Sequence, residues 1–166
     1  MEIKNKAKLI TILIYASMGA AVLYLAVSLL LNFVPSIVAV LSLPKGTAYE
    51  SAIDRFYLLG TVITFAVIML NTLMVLIKAK RGTPYRWYHG VFTVLAALFS
   101  ILFPTFMSMM GFVDIKYNYT VGVFSESCYL YMTKLYEAEN VARFISVVAV
   151  ALSVGAFCGG WDSKKK

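Results

Sequence analysis

The chain has 166 residues, 61% of them hydrophobic and only 14% charged, with a formal net charge of +7. Soluble domains average about 45–50% apolar and about 25% charged residues, so the composition excludes an ordinary soluble fold and points to a membrane protein. Most of so short a chain is then committed to lipid, which leaves one compact bundle, and the basic balance reads as sidedness in a membrane rather than as nucleic-acid binding.

The first uncharged run covers about residues 9–34. Its 26 residues at about 1.5 Å each exceed the roughly 30 Å hydrocarbon core. Lys4, Lys6 and Lys8 before it imitate a signal peptide, but the apolar run is longer than a signal core and is expected to stay as an anchor. Pro35 interrupts it. Residues 36–43, closed by Pro44, are too short to cross, and read either as the continuation of a kinked helix or as a piece lying at the surface. A polar link over 45–55 leads to a second uncharged span at about 56–77, in which Gly60 and Asn71 are the irregularities.

Residues 78–89, KAKRGTPYRWYH, turn the chain round. Gly82, Thr83 and Pro84 break the helix, and Trp87 and Tyr88 belong at a membrane surface. The third span is expected at about 88–110, with a kink at Pro104, and the fourth at about 141–159, with Arg143 near enough to its start to snorkel outward. The segment between them is rich in aromatics. Tyr117, Tyr119, Val121 and Val123 alternate with Asn118, Thr120 and Gly122, a strand-like period that predicts a small hairpin or extended cover. After Gly122 the composition favours helix, so the fourth helix is expected to begin near Ser125 or Ser127.

Charge sets the orientation. The N-terminal tail, the 78–89 loop and the C-terminal tail hold ten of the fifteen cations, and six of the eight acids fall on the other side. The fold class that follows is an all-α integral membrane protein of four transmembrane helices in two hairpins. Both termini are expected in the cytoplasm, the host membrane is expected to be the plasma membrane, and an aromatic-rich outer loop joins helices 3 and 4.

Candidate functional residues are few. Ala151, Gly155 and Gly159 form a small-residue ridge on the fourth helix, suited to close packing within the bundle or against another subunit. Ala16 with Ala20, and Ser17 with Ala21, give the first helix a commoner version of it. Tyr117, Tyr119, Tyr129 and Tyr131 are candidates to face a partner outside the membrane, and Asn118, Tyr119 and Thr120 make an N-x-[ST] glycosylation triplet on that side.

Proton relays and ion paths need ionisable groups within the membrane, and the central part of each span has none. His89 alone supplies neither a haem pair nor a zinc set, so no metal or cofactor is expected, although one imidazole suffices to contact a quinone carbonyl. Met107, Met109 and Met110 read as packing rather than as a Cu(I) site. Cys128 and Cys158 are expected on opposite sides of the membrane, which excludes an internal disulfide; Cys128 is expected as a free outer thiol or an intermolecular bridge, and Cys158 as a small buried residue. No CxxC or Cys-Cys-Gly motif, P-loop or dinucleotide fingerprint occurs.

The reading that follows is a non-catalytic accessory subunit packed against other integral membrane subunits, in a respiratory or other energy-converting complex. The alternatives are a small oligomeric transporter or channel lined by Thr61, Thr64, Asn71 and Thr72, and a membrane oxidoreductase with a quinone or thiol site at His89 or Cys128.

Overall fold

The computed structural model describes residues 2–33 and 55–162; the 36–43 stretch, nearly all of the polar link after it, and the lysines at 164–166 lie outside the described residues. Four helices account for the described chain: α1 (Glu2–Phe33), α2 (Arg55–Arg81), α3 (Trp87–Thr120) and α4 (Glu126–Asp162). All four are long and apolar enough to cross a membrane, so the chain is an all-helical, multi-pass membrane protein.

The helices end where their backbones can be capped. Gly82, at φ +62°, stops α2 in a conformation that costs a residue with a Cβ. The next helix opens three residues before His89, whose Nδ1 accepts the Arg86 backbone N–H at 3.0 Å, the reach-back that satisfies a free donor at a helix start. Gly122, at φ +76°, stops α3, and the Val121 and Val123 N–H groups close onto the Tyr117 and Asn118 carbonyls at 3.0 and 2.9 Å. Ser125 then caps α4 by accepting the Cys128 N–H at 3.3 Å, so α4 begins where its composition placed it.

Residues 117–120 are therefore helical and not strand-like, which corrects the expectation of a hairpin or extended cover. Among the described residues no strand stands beside this short alternation, so extended chain would leave its backbone groups unpaired, whereas helix pairs them within the segment. As a result α3, with 34 residues, and α4, with 37, run roughly 51 and 56 Å at about 1.5 Å per residue. They leave a roughly 30 Å hydrocarbon core together as an antiparallel hairpin.

The bundle is polar and small inside, apolar and large outside. On α1 the inward stripe is Ile14, Ser17, Ala21, Tyr24 and Ser28; on α2 it is Thr61, Thr64, Ile68, Asn71 and Thr72. Large side chains such as Leu23, Leu70, Leu95, Leu102 and Phe144 point away from the protein. In lipid this inversion is stable, because tails solvate apolar side chains and only the bundle interior can satisfy polar ones. Small residues then set how closely helices approach. A Cβ at Gly159 would lie 3.2 Å from Ile10 Cγ1, and one at Gly60 would lie 3.1 Å from Met107 Cβ.

The ridge on α4 is thus largely consumed by its own chain. Gly155 and Gly159 face Leu13 and Ile10 of α1, and Ala151 remains exposed. Neighbouring helices in sequence also pack together, α1 lies along α4, and α2 touches α4 across the centre. Gly159→Val should lower stability by about 1–3 kcal/mol, the usual cost of overpacking. Gly19→Ala, with nothing within 4 Å of the added carbon, should be neutral or slightly stabilising. Reversible unfolding in mixed micelles measures both.

Candidate functional site

Two hydrogen-bonded layers cross the interior at different depths. The first lies near the basic end, about 9–18 Å from the level of Lys8, Lys78, Trp87 and Trp161 when counted at about 1.5 Å per residue along each helix. Here Ser17 of α1 donates to the Ala149 carbonyl of α4 at 2.8 Å and lies 3.2 Å from Thr72 Oγ1 of α2. Asn71 Nδ2 donates to Ser153 Oγ at 2.7 Å, and Thr93 of α3 donates to Asn71 Oδ1 at 3.0 Å. All four helices meet in this one set of contacts. A cavity of about 10 Å³ beside Asn71, Ser100 and Ser153 is the space left between them.

The second layer lies about 24–33 Å from the same level, at the far edge of a roughly 30 Å core. Its centre is Glu139 of α4, 1% exposed and the one buried carboxylate among the described residues. Ser28 Oγ of α1 lies 2.8 and 3.0 Å from the two carboxylate oxygens and 3.0 Å from Thr61 Oγ1 of α2. The Tyr24 hydroxyl lies 3.1 Å from the same Thr61 oxygen. One turn further along α4, Arg143 donates to the Pro104 carbonyl at 3.3 Å and to Ser108 Oγ at 3.1 Å. Arg143 therefore does not snorkel outward; it turns across to α3, where a carbonyl and a hydroxyl are fixed within reach.

Sequence reasoning missed this layer because it began the fourth span at 141 and so left Glu139 outside the membrane. The available signal was helical spacing. Glu139, Ala142, Ser146, Ala149 and Ser153 recur at three and four residues, which is one face of one helix.

The residues singled out from sequence separate. Thr61, Thr64, Asn71 and Thr72 are all buried inside their own bundle. Tyr117 and Tyr119 are exposed, and Tyr119 stacks on Tyr129 with centroids 4.4 Å apart. Tyr131, expected to face a partner, is 9% exposed and packs with Leu31, Ile115, Cys128 and Leu135, because its position on α4 shares the inward face with Cys128 and Leu135. Asn118 lies in the last turn of α3, its amide donating to the Asp114 carbonyl at 2.9 Å.

The cysteines exchange expected roles: Cys128 is buried and Cys158 exposed, and neither is bonded. Met107 is buried, whereas Met109 and Met110 are exposed, so the three do not converge. Among the described residues no group of three or more His, Cys, Asp or Glu could hold a metal.

His89 is buried at the basic end, its Nδ1 engaged with the Arg86 backbone and its ring 4.2 Å from that of Tyr88. Tyr85 beside it packs edge-on to Phe157 at 5.1 Å and closes over Gly160. Burial raises the Tyr85 phenol above the ordinary tyrosine value of 10.0. The unfolded chain then ionises first. Stability should therefore be unaffected by this group below pH 10 and fall above it, and the fall should be less steep in Tyr85→Phe when unfolding is followed against pH.

The basic-end layer should carry measurable stability. Asn71→Ala removes partners from both α3 and α4 and should cost about 1–2 kcal/mol, and Ser153→Ala about 0.6 kcal/mol, in micellar unfolding.

Comparison with known proteins supplies no relative. No family model matches the chain, and neither a curated protein nor a solved structure matches it, so the role of the site is argued from its own geometry.

Proposed function

We propose that the chain is a non-catalytic subunit of a larger integral membrane assembly, held to its partner chiefly through α3. The observation that carries this reading is an unbroken apolar stripe. Leu102, Phe106, Met109, Val113 and Tyr117 recur at three and four residues, one face of the helix, and all are between 58% and 63% exposed. Lipid explains the part within the bilayer. It does not explain the rest, because Val113 and Tyr117 stand about 39 and 45 Å up α3 from Trp87, at or beyond the outer edge of a bilayer about 40–45 Å thick with its headgroups. An apolar stripe that continues into water marks a surface that a protein covers.

The lower part of the stripe borders an open groove of about 660 Å³ between α2 and α3, lined by Val67, Leu70, Leu95, Phe99 and Phe103 among others. A partner transmembrane helix lying in this groove and extending past Val113 to Tyr117 matches both features. The interior supports the same reading. Its hydroxyl and amide side chains are largely tied to one another, and the space beside Asn71 is about that of a single water, so α2 does not offer its threonines to a path between copies.

In this proposal the basic end faces the cytoplasm with both termini, in the plasma membrane, and the α3–α4 hairpin projects on the opposite side. A respiratory or other energy-converting complex is the proposed host. Val113→Ser with Tyr117→Ser should weaken association about five- to thirtyfold, corresponding to about 1–2 kcal/mol lost at a packed contact. Lys116→Ser, on another face of the same turn, should leave it unchanged. Native-gel separation of mildly solubilised host membranes, with mass spectrometry of each band, reads the result. Migration of the unaltered chain as a small oligomer alone would overturn the proposal.

A further inference from the structure

We propose that the cleft between the start of α3 and the end of α4 holds one anionic phospholipid. The cleft has a volume of about 580 Å³ and is lined by Trp87, Gly90 and Val91 of α3 and by Phe157, Cys158 and Trp161 of α4. That size lies within the roughly 300–1,000 Å³ of small-molecule sites. It sits between a different pair of helices from the groove lined by Leu95 and Phe99, and its occupant is independent of any protein bound there.

Depth selects an amphiphile. Trp87 and Trp161 are residues of the membrane surface, and Trp87 is 75% exposed at the mouth of the cleft. Val91 and Phe157 lie one turn further in, about 6 Å along each helix, so the cleft begins at headgroup level and ends among acyl chains. Its α4 wall is fixed before a ligand arrives. Phe157, 8% exposed, packs edge-on to Tyr85 at 5.1 Å and meets Trp161 at 5.6 Å. On the α3 wall Gly90 brings no side chain. A Cβ there would stand 3.8 Å from Phe157 Cζ, an ordinary contact, so the space is open because of the residue type and not because the helices forbid a larger one.

Charge selects the headgroup. Arg86 directly precedes Trp87 and is exposed, and α2 ends in Lys78, Lys80 and Arg81. The Lys78 and Arg86 charges both reach the His89 ring, which places these two cations around the first turn of α3. Among the described residues no ion pair involves Lys78, Lys80, Arg81 or Arg86. In sequence, Lys164, Lys165 and Lys166 follow Trp161 within five residues, and the acids at this end are Glu2 and Asp162 against ten cations. A zwitterionic headgroup brings a cation of its own into this field, whereas an anionic one brings only the complementary charge. A second copy of the chain, or another helix inserted by the same charge rule, would bring like charge to the same level.

The test is native mass spectrometry of the full chain released from mixed micelles that hold phosphatidylglycerol and phosphatidylcholine in equal amounts with identical acyl chains. One phosphatidylglycerol per chain should be retained in preference to phosphatidylcholine. Arg86→Gln should weaken that retention about fivefold, the effect of one cation near an anionic surface, and Lys116→Gln at the far end should leave it unchanged. Gly90→Leu, which fills the cleft, should weaken it at least as far. Equal retention of the two lipids would overturn the proposal, and so would phosphatidylglycerol retention that neither Arg86→Gln nor Gly90→Leu alters. A second protein chain held in place of the lipid and lost in Gly90→Leu would overturn it in favour of a protein contact. If Gly90→Leu does not fold, Arg86→Gln set against Lys116→Gln decides alone: equal retention by the two removes the site, and a loss confined to Arg86→Gln supports it.

Discussion

The bilayer offers no water to a buried polar group, and the rest of this structure follows from that constraint. Each of the four helices carries hydroxyl or amide side chains on one face, and those faces have only one another to bond with. Asn71 shows the consequence most clearly. An amide in hydrocarbon costs several kcal/mol if unpaired, and here its nitrogen and oxygen are bound by Ser153 of α4 and Thr93 of α3. The rotation of α2 about its axis is fixed by that need. Once Asn71 is inward, Thr61, Thr64 and Ile68 must be inward too, and Leu70 must face out.

Specificity in this bundle therefore comes from polar register and close approach, since burial of large side chains gains little in lipid. Among the described residues three apolar clusters form, and the one midway between the layers consists of Ala21, Ile68, Ala149 and Val150, where α1, α2 and α4 meet. The largest apolar cluster, around Leu31, Ile115, Tyr131 and Leu135, lies at the far end. That placement agrees with the proposed projection of the α3–α4 hairpin, because beyond the hydrocarbon the hydrophobic effect acts again and a helical hairpin needs a conventional core.

The four spans were legible in the sequence because apolar, charge-free runs of about 18 residues or more are long enough to cross a bilayer and too apolar for a soluble surface. The start of α4 was also legible, since Ser125 is a good cap and glycine is absent for the following turns. The end of α3 was misread. A period of two over seven residues is weak evidence when the same residues also fit a helical end, and the deciding element is Gly122, whose positive φ closes the helix rather than opening a strand. Tyr131 has a different cause: it was read by residue type and not by helical face, and two residues apart on a helix Tyr129 and Tyr131 point in different directions, so only Tyr129 stays near the surface.

Glu139 shows why span boundaries drawn from charge hide functional candidates. An acid ends a hydropathy window, so the window excludes the acid by construction, and the residue is then placed outside the span. Helix continuity gives a different boundary. Since α4 runs without interruption from Glu126 to Asp162, position 139 keeps the same inward face as Ser146 and Ser153 below it. The acid is accommodated there with Ser28 in contact and Arg143 one turn away, held by Ser108. A second polar layer placed at that depth fixes the far ends of α1, α2 and α4, as the Asn71 layer fixes the near ends. Two pinned levels, with small apolar residues between them, determine both the rotation and the vertical register of helices that lipid alone would leave free to slide.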